Sequence, residues 1–175
     1  MSQMIRHVTE NKKDFLALLL LGDEREDDID KYLDRGEVFA LYDGDAKSVC
    51  VVTDEGDGVL EIQNIATDRR CQRHGYGSKL IGYVAGHYAG RYDKIILGTG
   101  DVPGVLAFYA RCGFVETHRI PEYFTKRFDY PIFEDGVRLK DQVYLEKKLE
   151  PVAVPRLDPA ETVVRPELPE DRCET

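Results

Sequence analysis

A short stretch of basic, polar and glycine residues has the composition of an anion-binding turn. It consists of Gln72, Arg73, His74, Gly75, Tyr76, Gly77 and Ser78. A strand pattern precedes it over 60–67, and an apolar stripe at helical spacing follows it over 77–88. The first turn of a helix leaves backbone N–H groups unpaired and carries the positive end of the helix dipole. Because Gly75 and Gly77 have no side chain to block those donors, the stretch predicts a site for a phosphate-type group.

The same residues also fit other readings. Glycine-rich turns between a strand and a helix are common, and a short glycine pattern alone is weak evidence of a ligand. A dinucleotide-binding module would need a third glycine where Leu80 stands, and a P-loop would need a following Gly-Lys-Ser/Thr. The turn alone therefore leaves a phosphate site and an ordinary turn equally open, and argues against the two best-known nucleotide motifs.

Two segments together make the comparison with a known family specific. Residues 72–77 fill every defined position of a Q/R-x-x-G-x-G/A signature, and residues 108–114, Phe-Tyr-Ala-Arg-Cys-Gly-Phe, match L/F-Y-x-x-x-G-F. Both signatures, in this order and at this separation, are those of the GNAT superfamily of acetyl-CoA-dependent acyltransferases. The sequence resembles that superfamily in its order of elements over residues 3–149.

The elements read from the residue pattern agree with the fold that the resemblance implies. The pattern predicts the order β-α-α-β-β-β-α-β-α-β-β, with Asn11 and Asp101 as helix N-caps and an aromatic-rich loop before the last strand. The resemblance implies an α/β (α+β) fold with a mixed central sheet of about seven strands and helices on both faces. Two parallel central strands, here 60–67 and 94–98, should splay apart and admit the pantetheine arm of the cosubstrate.

The resemblance also assigns the groups that would bind acetyl-CoA. Backbone groups of Ile65, Ala66 and Thr67 are expected to bind the pantetheine and the oxyanion. The pyrophosphate is expected at Arg73, His74, Gly75, Tyr76, Gly77 and Ser78, with His74 and Tyr76 contributing mainly backbone. One position departs from many relatives, because Val102 stands where they carry a cofactor-contacting asparagine.

Tyr109 and Glu61 are the candidate catalytic residues. The resemblance places Tyr109 near the sulfur of the cosubstrate, where it would act as general acid. Reference pKa values of ~10 for a phenol and ~8.5 for a thiol make that donation modestly uphill. Glu61 lies where many relatives place the glutamate that deprotonates the amine through water, and it should share a strand face with Gln63 unless a bulge intervenes.

Both assignments have alternatives. Tyr109 can be an ordinary core residue of its helix, and Glu61 an ordinary surface glutamate. Glu116 and His118, on the following strand, are rival candidates for the general base.

Charge and composition narrow the class of partner. A net charge of −9 argues against a nucleic-acid ligand. The four cysteines lack paired or metal-ligand spacing, which predicts no metal and a cytoplasmic location, and no apolar run is long enough to cross a membrane. A cationic small-molecule amine would fit an acidic run together with the aromatic loop, although such a run is more often a solvated helix face. The acidic residues are Glu24, Glu26, Asp27, Asp28 and Asp30. A homodimer stays open.

The chain divides into a predicted GNAT-like domain over 1–149 and a proline-rich extension over 150–175, which we expect to be disordered or loosely docked. The leading hypothesis is an N-acetyltransferase that acts on a small amine or a peptide N-terminus. The alternative is a catalytically silent acyl-CoA-binding sensor.

Overall fold

A computed structural model describes residues 2–151, and these form one mixed sheet with helices on both faces. The strands are β1 (Met4–Val8), β2 (Glu37–Asp43), β3 (Asp45–Asp54), β4 (Val59–Thr67), β5 (Lys94–Gly100), β6 (Val115–Ile120), β7 (Phe133–Glu134), β8 (Val137–Arg138) and β9 (Gln142–Lys148). The helices are α1 (Leu16–Gly22), α2 (Glu26–Leu33), α3 (Tyr76–Tyr88), α4 (Pro103–Arg111) and α5 (Tyr123–Arg127). Apart from its first two residues, the predicted extension lies outside the described residues.

The seven-stranded sheet has the order β1-β2-β3-β4-β5-β9-β6. Among the paired strands of residues 2–151, β4 and β5 alone run parallel, and the other neighbours are antiparallel. This confirms the predicted mixed sheet of seven strands. It also excludes a dinucleotide-binding fold of the doubly wound kind, which is built on a mostly parallel sheet.

Two apolar layers cover the sheet. Helix α3 buries Leu80, Ile81, Val84 and Tyr88 in the layer on one face, which also contains Tyr109 of α4. On the opposite face, α1 and α2 contribute Leu19, Ile29, Tyr32 and Leu33. The apolar stripe predicted over 77–88 is therefore the buried face of α3.

A β-bulge in β4 exchanges the two faces of that strand. Val52 pairs with Ile62 and Val51 pairs with Asn64, so Gln63 is the extra residue. Before the bulge, even-numbered residues such as Ile62 face α3, whereas after it Ala66 faces α1 and α2. Gln63 still shares the face of Glu61, because its side-chain amide donates at 3.0 Å to the hydroxyl of Thr53, the residue that pairs with Glu61. The exchange of faces follows directly after Gln63.

Three local predictions were wrong. Asn11 has a left-handed backbone (φ 53°) and precedes a 3₁₀ turn, without capping a helix through its side chain. Val102, not Asp101, is the N-cap of α4, and the Asp101 carboxylate instead pairs with Arg119 at 2.6 Å. The predicted aromatic loop contains α5 and the β7–β8 hairpin.

None of the helices within residues 2–151 combines the length and the apolar character needed to cross a membrane. In the same part of the chain, no group of three or more histidine, cysteine or acidic side chains is arranged to hold a metal ion.

Candidate active site

A gap opens in the sheet between β4 and β5. The two strands pair only at Val59 with Lys94, Leu60 with Ile95 and Glu61 with Ile96. Beyond this point β4 stays paired with β3 and β5 with β9, so the facing edges of 62–67 and 97–100 have no strand between them. Ile65, Ala66 and Thr67 lie along this edge. Because N–H groups alternate in direction along a strand, only some of these residues direct a donor into the gap.

The N-terminus of α3 lies where the gapped strand β4 ends. Gly75, its N-cap, has a left-handed backbone (φ 81°), and the first bond of the helix runs from Lys79 N–H to the Gly75 carbonyl at 3.0 Å. No side chain caps this end, so the N–H groups of residues 76–78 are left for a ligand or water. A Cβ on Gly77 would lie 3.4 Å from the Phe108 ring, an ordinary contact, so the packing of α3 alone does not require glycine here.

Two side chains of the turn are engaged within the protein. His74 Nδ1 lies 3.0 Å from the Cys71 carbonyl oxygen and 2.9 Å from that of Gln72. The Tyr76 hydroxyl donates to Asp43 at 2.7 Å. The backbone is therefore what these two residues offer to a ligand. The Arg73 side chain, in contrast, is exposed, and its backbone is left-handed (φ 65°).

Tyr109 is buried on α4, with its ring 5.1 Å from that of Phe108 and 5.7 Å from that of Phe114. Burial raises the pKa of its hydroxyl, and the neighbouring Cys50 and Glu134 groups add to the rise. The phenol is therefore held protonated at neutral pH. Val102, at the start of the same helix, is buried in apolar contacts.

Glu61 occupies the last paired position before the gap, on the strand face turned away from α3. It is half-buried, and burial raises the pKa of its carboxyl, as does the field of Glu55. The Tyr144 hydroxyl donates to Glu61 at 3.3 Å, which opposes that rise in the pKa of Glu61. Burial raises the pKa of Tyr144 to about 12, with a contribution from Glu61. The His118 ring stacks on Tyr144 at 4.7 Å.

The rival bases have less suitable environments. Glu116 is exposed, and its hydrogen bond from Arg119 at 2.7 Å lowers the pKa of its carboxyl, which makes it a weaker base. His118 is exposed, and its Nδ1 lies 3.1 Å from the Thr117 hydroxyl. Of the three candidates, Glu61 alone lies at the opening of the gap.

The acidic run is largely neutralised by pairs within the protein. Asp28 is buried and accepts from Arg25 at 3.2 Å, Lys31 at 2.7 Å and Arg127 at 2.6 Å. Lys13 pairs with both Glu26 and Asp30. These contacts leave the run with less charge for a ligand than the sequence suggested.

Two polar residues near the gap have no signal in the sequence motifs. Tyr144 reaches Glu61 from β9, far away in the chain. Asn64 is buried on β4 and donates to the Leu19 carbonyl at 2.8 Å and the Tyr32 hydroxyl at 2.9 Å. A polar residue in an apolar strand is a signal for such a network, but its partners are fixed only by the fold.

Comparison with known proteins agrees with this architecture. Residues 34–116 match the family model described as "Acetyltransferase (GNAT) domain". YvbK of Bacillus subtilis (strain 168), described as an uncharacterised N-acetyltransferase, is 34% identical over 140 residues, which cover 78% of this chain and 90% of YvbK. The chain therefore belongs to the GNAT acetyltransferase family.

Two solved structures with bound ligands have the same fold. A Bacillus subtilis acetyltransferase in complex with CoA is 31% identical, with a TM-score of 0.78 over 85% of this chain and 99% of that one. A GNAT family acetyltransferase from Elizabethkingia anophelis with acetyl-CoA bound is 29% identical, with a TM-score of 0.78 over 84% and 98%.

Proposed function

We propose that this acetyltransferase moves the acetyl group of acetyl-CoA directly to the primary amine of a small molecule. The observation that carries the proposal is the gap between β4 and β5, which opens beside the uncapped N-terminus of α3. Glu61 stands where the gap begins, and Tyr109 lies buried on α4. The relatives crystallised with CoA and acetyl-CoA support acetyl-CoA as the donor.

The geometry suits the shape and charge of acetyl-CoA. We assign the pyrophosphate to the backbone N–H groups of Tyr76, Gly77 and Ser78, since the helix dipole and unpaired donors favour an anion there. Gly75 and the Arg73 side chain complete that site, with His74 contributing backbone. The free edge over 65–67 would bond the pantetheine amides and hold donors for the oxyanion.

Glu61 is proposed to take a proton from the acceptor's ammonium, directly or through one water. The free amine then attacks the thioester carbonyl, so a C–N bond forms while the C–S bond breaks. A carboxyl whose pKa is raised is a stronger base than an exposed one, and the burial of Glu61 acts in this direction.

Tyr109 is proposed to give its proton to the departing sulfur. Its raised pKa keeps the donor protonated but makes it a weaker acid. A thiolate that leaves into a desolvated site would be a stronger base than one in water, which favours this proton transfer. The proton that the nitrogen loses on forming the amide can restore the phenol.

We also propose that the reaction takes place in the cytoplasm. The cysteines at positions 50, 71 and 112 are free thiols, which a reducing compartment would preserve.

Thiol release from acetyl-CoA across a broad panel of amines tests the function. We expect turnover with at least one primary amine, and a higher melting temperature when acetyl-CoA is present. If acetyl-CoA raised the melting temperature but no amine was acetylated, the sensor hypothesis would replace this one. If acetyl-CoA did not bind, both hypotheses would be wrong.

A further inference from the structure

The β7–β8 hairpin turns one charged side chain toward the protein. Its strands pair Phe133 with Arg138 and Glu134 with Val137, and Leu139 N–H donates to the Ile132 carbonyl at 2.8 Å. Directly paired residues share a face, and alternate residues along a strand do too. Ile132, Glu134, Val137 and Leu139 therefore lie on one face of the hairpin, and Glu134 is its only charged member.

This face packs over the start of α4. Ile132 and Leu139 are each 7% exposed and form a cluster with Val102, whereas Phe133, on the opposite face, is 61% exposed. Leu139 approaches so closely that a Cβ on Gly100 would lie 2.6 Å from its side chain. The inward face of the hairpin is thus packed against the end of β5 and the start of α4.

The inward face of the hairpin also contacts the helix that carries Tyr109. Val105 packs against the cluster under the hairpin, and Tyr109 is four residues further along α4, on the same helical face. The carboxylate of Glu134 is near enough to contribute to the raised pKa of Tyr109, after burial and the Cys50 group.

Glu134 is a half-buried carboxylate without the partners that such a group normally has. Burial raises the pKa of its carboxyl, as does the field of Asp135, and no cation or hydrogen bond within residues 2–151 opposes that rise. Asp28, by comparison, is surrounded by three cationic side chains. A partly desolvated carboxylate without a partner is unfavourable, and a cationic ligand would relieve it.

We propose that Glu134 binds the ammonium group of the entering acceptor, before Glu61 takes its proton, and thereby selects amines that have no carboxylate on the α-carbon. The proposal rests on the proposed function, in which Tyr109 meets the sulfur. The attacking nitrogen must then come close to Tyr109, and a carboxylate beside that phenol is placed to hold it. An α-amino acid would bring its own carboxylate toward Glu134, and the two like charges would repel.

Steady-state kinetics of Glu134→Gln test this role, with Asp135→Asn as the matched control. Asp135 is an exposed neighbour in a left-handed backbone (φ 48°) that asparagine also tolerates, and its substitution removes the same charge. We expect Glu134→Gln to raise the KM for the amine by about ten- to a hundredfold, the range of a hydrogen bond to a charged group. The KM for acetyl-CoA should not change, and Asp135→Asn should match the wild type.

Selectivity is measured on amino acids paired with the amines that their decarboxylation gives. The wild type should prefer the decarboxylated member of each pair, and Glu134→Gln should reduce that preference. Equal KM values for Glu134→Gln and Asp135→Asn, or a preference unchanged by Glu134→Gln, would overturn the proposal.

A binding measurement separates this proposal from the proposed function, because it needs no turnover. In protein labelled with ¹³C at glutamate carboxyls, the Glu134 resonance is the one that Glu134→Gln removes. Ethylammonium chloride, added in the presence of CoA, should move that resonance in the wild type and in Asp135→Asn. A resonance that stays fixed at saturating ethylammonium would overturn the role of Glu134 whether or not any amine is acetylated.

Discussion

At the scale of single residues, burial adjusts both proposed catalytic side chains for their tasks. The raised pKa of Glu61 makes it a stronger base, and the raised pKa of Tyr109 would keep the proton on its hydroxyl until a thiolate forms. Neither effect is readable from the sequence, because each depends on how much solvent the fold removes.

Replacing Tyr109 with phenylalanine should lower kcat by about a hundredfold or more, because it removes the proposed general acid and leaves the ring packing intact. The KM for acetyl-CoA should stay close to that of the wild type. Tyr83→Phe is the matched control, since Tyr83 is 42% exposed on α3. Equal kcat values for the two variants would remove Tyr109 from the mechanism.

Replacing Tyr144 with phenylalanine should move the acidic limb of the pH profile to higher pH. The Tyr144 hydrogen bond stabilises the Glu61 carboxylate and so lowers the pKa of Glu61. Without it that pKa rises further, and Glu61 stays protonated to a higher pH. The measurement is kcat/KM for the amine against pH.

Tyr92→Phe provides the control for this profile. The Tyr92 hydroxyl also donates to a carboxylate at 3.1 Å, but that carboxylate belongs to Asp54 and not to Glu61. An unmoved limb in Tyr144→Phe, or an equal movement in both variants, would argue against Glu61 as the base.

At the scale of elements, the sequence predicts what local patterns control. The stripe of α3, the hairpin around Gly44 and the closing strands β6 and β9 follow from spacing and turn chemistry. The bulge at Gln63 does not, because its only trace is a change in which residues of β4 are buried on each face.

The β7–β8 hairpin did have a local signal. Asp135 and Gly136 both have positive φ angles, 48° and 76°, as the Asp-Gly pair of a two-residue hairpin requires. The many aromatic residues around this pair favour an aromatic-rich loop in the sequence analysis, so neither the hairpin nor Glu134 is predicted.

Replacing Gly22 with alanine should destabilise the protein by about 1–3 kcal/mol, the usual range for overpacking. A Cβ at this position would lie 2.3 Å from Asn64 Oδ1, whose amide ties the end of α1 to β4. Gly82→Ala is the control, since nothing lies within 4 Å of its Cβ position and alanine favours a helix. Urea denaturation should show a lower free energy of unfolding for Gly22→Ala and a higher one for Gly82→Ala. A change of the same sign in both variants would contradict this account.

At the scale of the whole molecule, the Asp28 cluster joins α2 to the segment around α5. Burial by itself would raise the pKa of Asp28, but Lys31, Arg25 and Arg127 outweigh it and hold that pKa below its ordinary value of 3.8. A carboxyl with a lowered pKa contributes stability above its ordinary pKa, and that contribution is lost as the pH falls through the lower value.

Asp28→Asn should therefore destabilise the protein at pH 7 by about 1–3 kcal/mol, a value reduced from that of a fully buried pair because the three cations are partly exposed. The difference from the wild type should shrink as the pH falls below 3.8. Asp27→Asn, on the exposed side of α2, should have little effect at either pH. A pH-independent difference in urea denaturation for Asp28→Asn would contradict the electrostatic origin.

The gap between β4 and β5 leaves main-chain groups of both strands without a strand partner. The N–H and C=O groups of 62–67 and 97–100 that point into the gap bond to water until a ligand with amide groups binds there. In the proposed reaction, acetyl-CoA lies in the gap and its amides bond to the free edges of both strands. The free energy of unfolding would then increase with the concentration of acetyl-CoA in the cell.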